Sequence, residues 1–196
     1  MADFYYVGID PDSKGYIAVL NHAREPQAEF KMPLVASSTV INFGEVDTII
    51  KFIDKNFPCA EYFLERPFMV PGRWSKSDNG EWNMLPGQSA KAAATQFENA
   101  FTIRGILVAN EVRYTLDYAK TWQALMLKGT PSNQKPKVRS FIRCQELWPT
   151  VDFKGPRGGD NYGKCDAYLM ATYLMMVNVK NFEMHLPRPP LTLTGE

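Results

Sequence analysis

The sequence predicts a single α/β domain, a central mixed β-sheet flanked by helices. Three observations carry this reading. Runs of strand length, rich in apolar, aromatic and β-branched residues, end in carboxylates at Asp10 and Glu65. Longer segments with apolar residues at helical spacing alternate with them, the pattern of an open α/β sheet with carboxylates at its strand ends. The first two runs are joined by a tight turn, which makes one pair of strands a hairpin. The 196 residues suffice for one sizeable core, with the domain over 1–186 and a Pro-rich, irregular tail over 187–196.

Each element follows from its own stretch of chain. Phe4 to Asp10 reads as a buried strand, Pro11 to Gly15 as the turn, and Tyr16 to Leu20 as the second strand, with a third over Glu29 to Met32. Ile41 to Asn56 has Val46, Ile49, Ile50 and Ile53 on one helical face, and Pro58 follows it. Tyr62-Phe63-Leu64 is a short central strand leading into Glu65. The Pro- and Gly-rich stretch 66–88 reads as a long loop, of the kind that carries function. Its Phe68, Met69, Trp74 and Trp82 either meet a partner or fold back over the core. Ser89 is placed to cap a helix running to Ala109. A strand over Glu111 to Leu116 and a helix over Tyr118 to Leu127 come next. After a basic linker, helices are expected over Lys137 to Leu147 and Asn161 to Val179, separated by a Gly-containing loop at 150–160.

Composition excludes several classes. A charged fraction of 22% beside an apolar fraction of 45% is not that of a disordered chain. No run of apolar residues is long enough to span a bilayer, and no secretory signal opens the chain. Cys59, Cys144 and Cys165 make neither a zinc spacing nor a paired framework. A cytoplasmic protein with reduced thiols and no membrane partner is the expectation. The net charge of +1 hides an asymmetry: residues 1–65 carry five Lys/Arg against ten Asp/Glu, and residues 66–196 carry 17 against 11. Within 128–157, Lys128, Lys135, Lys137, Arg139, Arg143, Lys154 and Arg157 face only Glu146 and Asp152. Such a cluster is either a phosphate footprint or a solvated face.

Asp10, Glu65 and Asp166, the last at the start of the final helix, are the candidate metal-ligating carboxylates. Hard oxygen donors suit Mg²⁺ or Mn²⁺, and a pair of such ions serves phosphodiester hydrolysis. Asp160, six residues before Asp166, is either a fourth ligand or the cap of the last helix. Each acid also has a plain structural reading: Asp10 as a turn former, Glu65 as an ion-pair partner, Asp166 as a charge favoured by the helix dipole.

These motifs together resemble the RuvC-type Holliday junction resolvases of the ribonuclease H-like superfamily, particularly the phage and viral members. The resemblance runs over residues 4–177. Its motifs are Val7-Gly8-Ile9-Asp10 with the turn to Gly15, Phe63-Leu64-Glu65, Leu85-Pro86-Gly87-Gln88, Phe97 to Gly105, Ala119-Lys120-Thr121-Trp122, Lys137 to Pro149, and Gly163-Lys164-Cys165-Asp166-Ala167-Tyr168-Leu169-Met170-Ala171. It implies Asp10, Glu65 and Asp166 as ligands of two Mg²⁺ or Mn²⁺ ions, with Asp160 as a possible fourth and Lys137 near the scissile phosphate or else facing solvent. Many relatives carry an acid or His where this chain has Gly163.

The resemblance further implies a homodimer acting on four-way DNA junctions, in a phage or viral protein working in the host cell. Backbone contacts are expected from Arg73, Lys135, Lys137, Arg139, Arg143, Lys154, Arg157 and Lys164, with Phe68 and Met69 stacking at the open junction. A broader flap or branched-DNA nuclease and a non-catalytic branched-DNA-binding protein are the alternatives. A sugar-kinase or actin-like ATPase needs two such domains, more than this chain provides.

Overall fold

All five strands of the central sheet lie between Tyr5 and Tyr118, and three helices follow. The hairpin of β1 (Tyr5–Ile9) and β2 (Tyr16–Asn21) pairs antiparallel, with β3 (Pro26–Lys31) added antiparallel on its outer edge. On the other side β1 pairs parallel with β4 (Ala60–Arg66), which pairs parallel with β7 (Arg113–Tyr118). The order is β3-β2-β1-β4-β7, a central mixed sheet in which β2 alone runs against the rest. The computed structural model describes residues 4–69, 72–76, 81–85, 87 and 89–185; the expected tail over 187–196 lies outside them.

Alternation along the strands sorts the helices to two faces. Val7, Ile9, Ile17, Val19, Tyr62 and Leu64 pack with α1 (Phe43–Asn56) and α2 (Ala90–Ala109). Tyr6, Ala18, Leu20 and Phe63 face α3 (Ala119–Met126), α4 (Pro136–Leu147) and α5 (Tyr162–His185). Asn42 caps α1 and Ser89 caps α2, each side chain accepting from a first-turn N–H. Helix α5 is apolar nearly all round because it is enclosed by the sheet and α4.

Apart from end shifts such as that of β7, expected over Glu111 to Leu116, the structure differs from the sequence reading at three places. The stretch read as a loop over 66–88 contains a two-stranded hairpin, β5 (Arg73–Lys76) and β6 (Trp82–Leu85). Its Pro and Gly residues flank or join the strands, so composition alone read as loop. Strand β3 begins at Pro26, where a strand edge tolerates a missing N–H. Helix α5 runs on to His185, six residues past its expected end, with no Pro or Gly before Pro187 to stop it.

Candidate active site

Strand register brings the first two carboxylates together. Ile9 lies opposite Leu64 in the parallel β1–β4 pair, so Asp10 and Glu65 leave adjacent strands at the same end. Both have the parity of Gly8 and Phe63, and therefore face the side covered by α5. The third carboxylate arrives because α5 comes unusually close. A Cβ on Gly8 would lie 2.0 Å from the Ala167 carbonyl oxygen, and a Cβ on Gly163 would lie 2.3 Å from that of Lys14 and 3.0 Å from Asp10 Oδ2. Two glycines thus let the helix rest on the strand and its turn, which sets Asp166 beside Asp10. The same contact explains why position 163 holds no acid or His: with this backbone there is no room for a side chain.

Asp10, Glu65 and Asp166 line one cavity of about 1040 Å³. Lys135 and Lys137 from the start of α4 line it too, as do Gln96 and Asn99 from α2 and Tyr162 from α5. Burial, then the charges of Asp166, Glu65 and Asp12, raise the Asp10 carboxyl well above its usual range, against a backbone N–H from Asp12. Burial pushes Asp166 up to about 7, with Glu65 adding to it and Ser140 and Lys137 opposing. Glu65 is raised by burial, opposed by a hydrogen bond from Trp122 and by the Lys137 charge. Trp122 Nε1 donates to Glu65 Oε2 at 2.9 Å.

Two observations bear on whether these residues suit a divalent cation. Asp166 Oδ1 is buried and, among the described residues, has no hydrogen-bond partner, a state that costs free energy until a cation or proton meets it. The donor set is all carboxylate oxygen, which suits a hard cation. Among the described residues, however, no group of three or more Asp, Glu, His or Cys side chains stands as a ready metal cage. The donor types match a hard cation, and all three line one cavity.

The other residues singled out by sequence lie in varied settings. Asp160 is away from the cavity, accepting from Lys154 Nζ at 2.6 Å and Tyr162 Oη at 3.1 Å. Nor does it cap α5; the side chain of Asn161 accepts from Lys164 N–H instead. Lys154 also lies over the Phe141 ring. Lys164, only 8% exposed, is held by Glu29 Oε1 and the Asp152 carbonyl, each at 2.8 Å. Arg139 donates to Thr130 Oγ1 and the Leu127 carbonyl, and Arg143 to the carbonyls of Met126 and Lys128 and to Glu146. These two arginines tie off the C-terminal end of α3. Lys128, Lys135, Lys137 and Arg157 are exposed.

Phe68 is 60% exposed and sets its ring edge-on to Tyr118, with the exposed Met69 beside it. Phe68, Tyr118, Lys120 and Lys128 line a second cavity, which meets the carboxylate cavity at Gln123 and Pro136. Arg73 opens β5, and its side chain, like those of Trp74 and Trp82, lies outside the described residues. Sequence reasoning did not single out Asn99 or Ser140 as site residues, nor Trp122 as a partner of Glu65. Trp122 stands in a recognisable motif, but its partner is 57 residues away in the chain.

The strand order, the lone antiparallel strand and the helices on both faces define a ribonuclease H-like α/β fold. Over 90% of this chain and 96% of the other, it is similar to RuvC of T. thermophilus, solved in complex with Holliday junction substrate, with a TM-score of 0.56 and 8% sequence identity. No family model and no curated protein matches the sequence. The likeness is one of fold. Among the described residues no helix is long and apolar enough to cross a membrane.

Proposed function

We propose that this protein is a divalent-metal-dependent endonuclease that resolves four-way DNA junctions by paired phosphodiester hydrolysis. The observation that carries this is the meeting of Asp10, Glu65 and Asp166 with Lys137 in one cavity, at the strand ends of a ribonuclease H-like sheet. Asp10, Glu65 and Asp166 would hold the cation or cations, Mg²⁺ or Mn²⁺. Bound there, such an ion lowers the proton affinity of water and offsets charge building on the phosphate oxygens. The chain's own side chains do the remaining work. Lys137 and Lys135, at the N-terminal end of α4, attract a phosphate with both their charge and the helix dipole. Asn99 and Gln96 line the opposite, α2 side, where polar groups can orient the strand. Exposed Lys128, in the adjoining cavity, extends the phosphate track, exposed Arg157 is a further cation for backbone, and Phe68 offers a face for an unstacked base.

Two symmetric cuts call for two sites, and α2 offers a self-complementary face for a second copy. Ala94, Glu98, Phe101, Gly105 and Val108 follow helical spacing on its exposed side, with Phe97 adjoining Phe101. A two-fold axis at Phe101 sets Phe97 against Gly105 of the other copy, Glu98 against Arg104, and Ala94 against Val108.

Gly163, where many members of the family this chain resembles carry an acid or His, favours one rival, a branched-DNA-binding protein without cleavage. The deciding experiment incubates the protein with Mg²⁺ and a labelled four-way junction, Y-flap or linear duplex, beside Asp166→Asn. Paired nicks in the junction alone, absent from the variant, are expected. Cutting of every branched form would move the assignment to a general debranching nuclease. Binding without cutting in Mg²⁺ and Mn²⁺ would leave the non-catalytic reading.

A further inference from the structure

Glu65 is held by a neutral, rigid side chain, an indole. Trp122 is fully buried in the core on the α5 side of the sheet, and its Nε1–H donates to Glu65 Oε2 at 2.9 Å. Among the described residues no other hydrogen bond reaches Glu65, which lines the cavity, so Oε1 carries none. The indole cannot follow a moving carboxylate. In the β4–β7 ladder Glu65 lies opposite Asp117, and α3 starts just beyond it, so register sets the distance from strand to indole.

Helix α3 is also held at both ends. Asp117 Oδ1 accepts from Thr121 Oγ1 and Tyr118 N–H, and Arg139 and Arg143 grip the carbonyls of Leu127 and Met126. An Arg or Lys in this role would cancel the carboxylate's charge and repel a cation. An indole N–H orients the group without neutralising it, and has no lone pair with which to bind metal itself.

We propose that Trp122 is a positioning residue for the Glu65 carboxylate: its indole N–H holds Oε2 and leaves Oε1 as the single oxygen offered to a divalent cation. This rests on the reading of Asp10, Glu65 and Asp166 as the metal-holding set. Partners that orient a ligand in this way change metal affinity or activity by about 10–100-fold when removed.

The test uses the full chain labelled with ¹⁵N and follows the indole N–H resonances as Mg²⁺ alone is added. Trp122→Phe assigns the signal by its disappearance, and Glu65→Gln assigns it independently by shifting it. The expected result is that Mg²⁺ shifts the Trp122 indole signal of the wild type. In Trp122→Phe, the Mg²⁺ concentration for half-maximal junction cleavage should rise about 10–100-fold, with turnover recovering at saturating Mg²⁺. Two results overturn the proposal: an indole signal unmoved by Mg²⁺ in a wild type that cleaves, or an unchanged Mg²⁺ requirement in Trp122→Phe. If Trp122→Phe does not fold, the wild-type indole titration decides alone. A wild type that neither shifts nor cleaves overturns the nuclease reading and this proposal with it.

Discussion

Asp166 sits where an isolated carboxylate is least comfortable, with one oxygen buried and unpartnered among the described residues and its proton held up to about 7. The ordinary carboxyl of the unfolded chain releases its proton near 3.8. Between these values the folded, metal-free protein keeps a proton that the unfolded chain has lost. The stabilising contribution is therefore complete below the unfolded value and gone once pH rises through about 7. Asp166→Asn should abolish cleavage and yet raise the melting temperature of metal-free protein. In unfolding free energy the gain should be small at pH 4, grow toward pH 7 and level off above it, at on the order of 2–4 kcal/mol. Thermal melts across that range check the sign; a gain largest at acid pH would contradict it.

Asp10 and Glu65 were readable because each ends an apolar run, and strand ends are where a sheet meets solvent. The positions of the cations were not readable, because charge alone does not reveal a partner. Lys164 finds Glu29 across 135 residues of chain, and Arg143 finds the Met126 carbonyl across 17. Lys137 differs from them only in where α4 begins. Replacing it with Ala should cut the cleavage rate by about 10–100-fold at an unchanged melting temperature, since its side chain is exposed and meets only the cavity.

At the scale of elements, the site depends on how closely α5 lies against β1 and the following turn. Gly163→Ala forces a Cβ to within 2.3 Å of a backbone oxygen, which no side-chain rotation relieves. We expect a loss on the order of 1–3 kcal/mol in a denaturant titration, and cleavage lost further as Asp166 is pushed from Asp10. Unchanged stability would mean that the helix is not seated as described. The main elements were legible because the periods are clear: Val46, Ile50 and Ile53 in α1, and the unbroken apolar runs of β1 and β4. The β5–β6 hairpin was hidden because strands of four residues among Pro and Gly leave too little pattern to read.

For the whole molecule, the asymmetry of charge and the bare face of α2 set the expectations. If α2 pairs with a second copy, Phe101→Glu should turn a dimer into a monomer in sedimentation and abolish paired nicking, while single nicks persist. A wild-type monomer at micromolar concentration would end that assignment. Binding to a junction should weaken steeply with salt, and each of Lys135→Ala and Arg157→Ala should reduce the logarithmic salt slope by about one.

Helix α5 carries one of the three carboxylates and also covers the sheet face formed by Tyr6, Ala18, Leu20 and Phe63. A nascent chain ending before Tyr162 would have Asp10 and Glu65 already translated, yet leave that face bare and the acid pair without its third member. Core and carboxylate set are completed in one step, by the same helix. On the proposed reading, a chain folded without this helix lacks a covered sheet and a complete carboxylate set together, so it has neither stability nor activity.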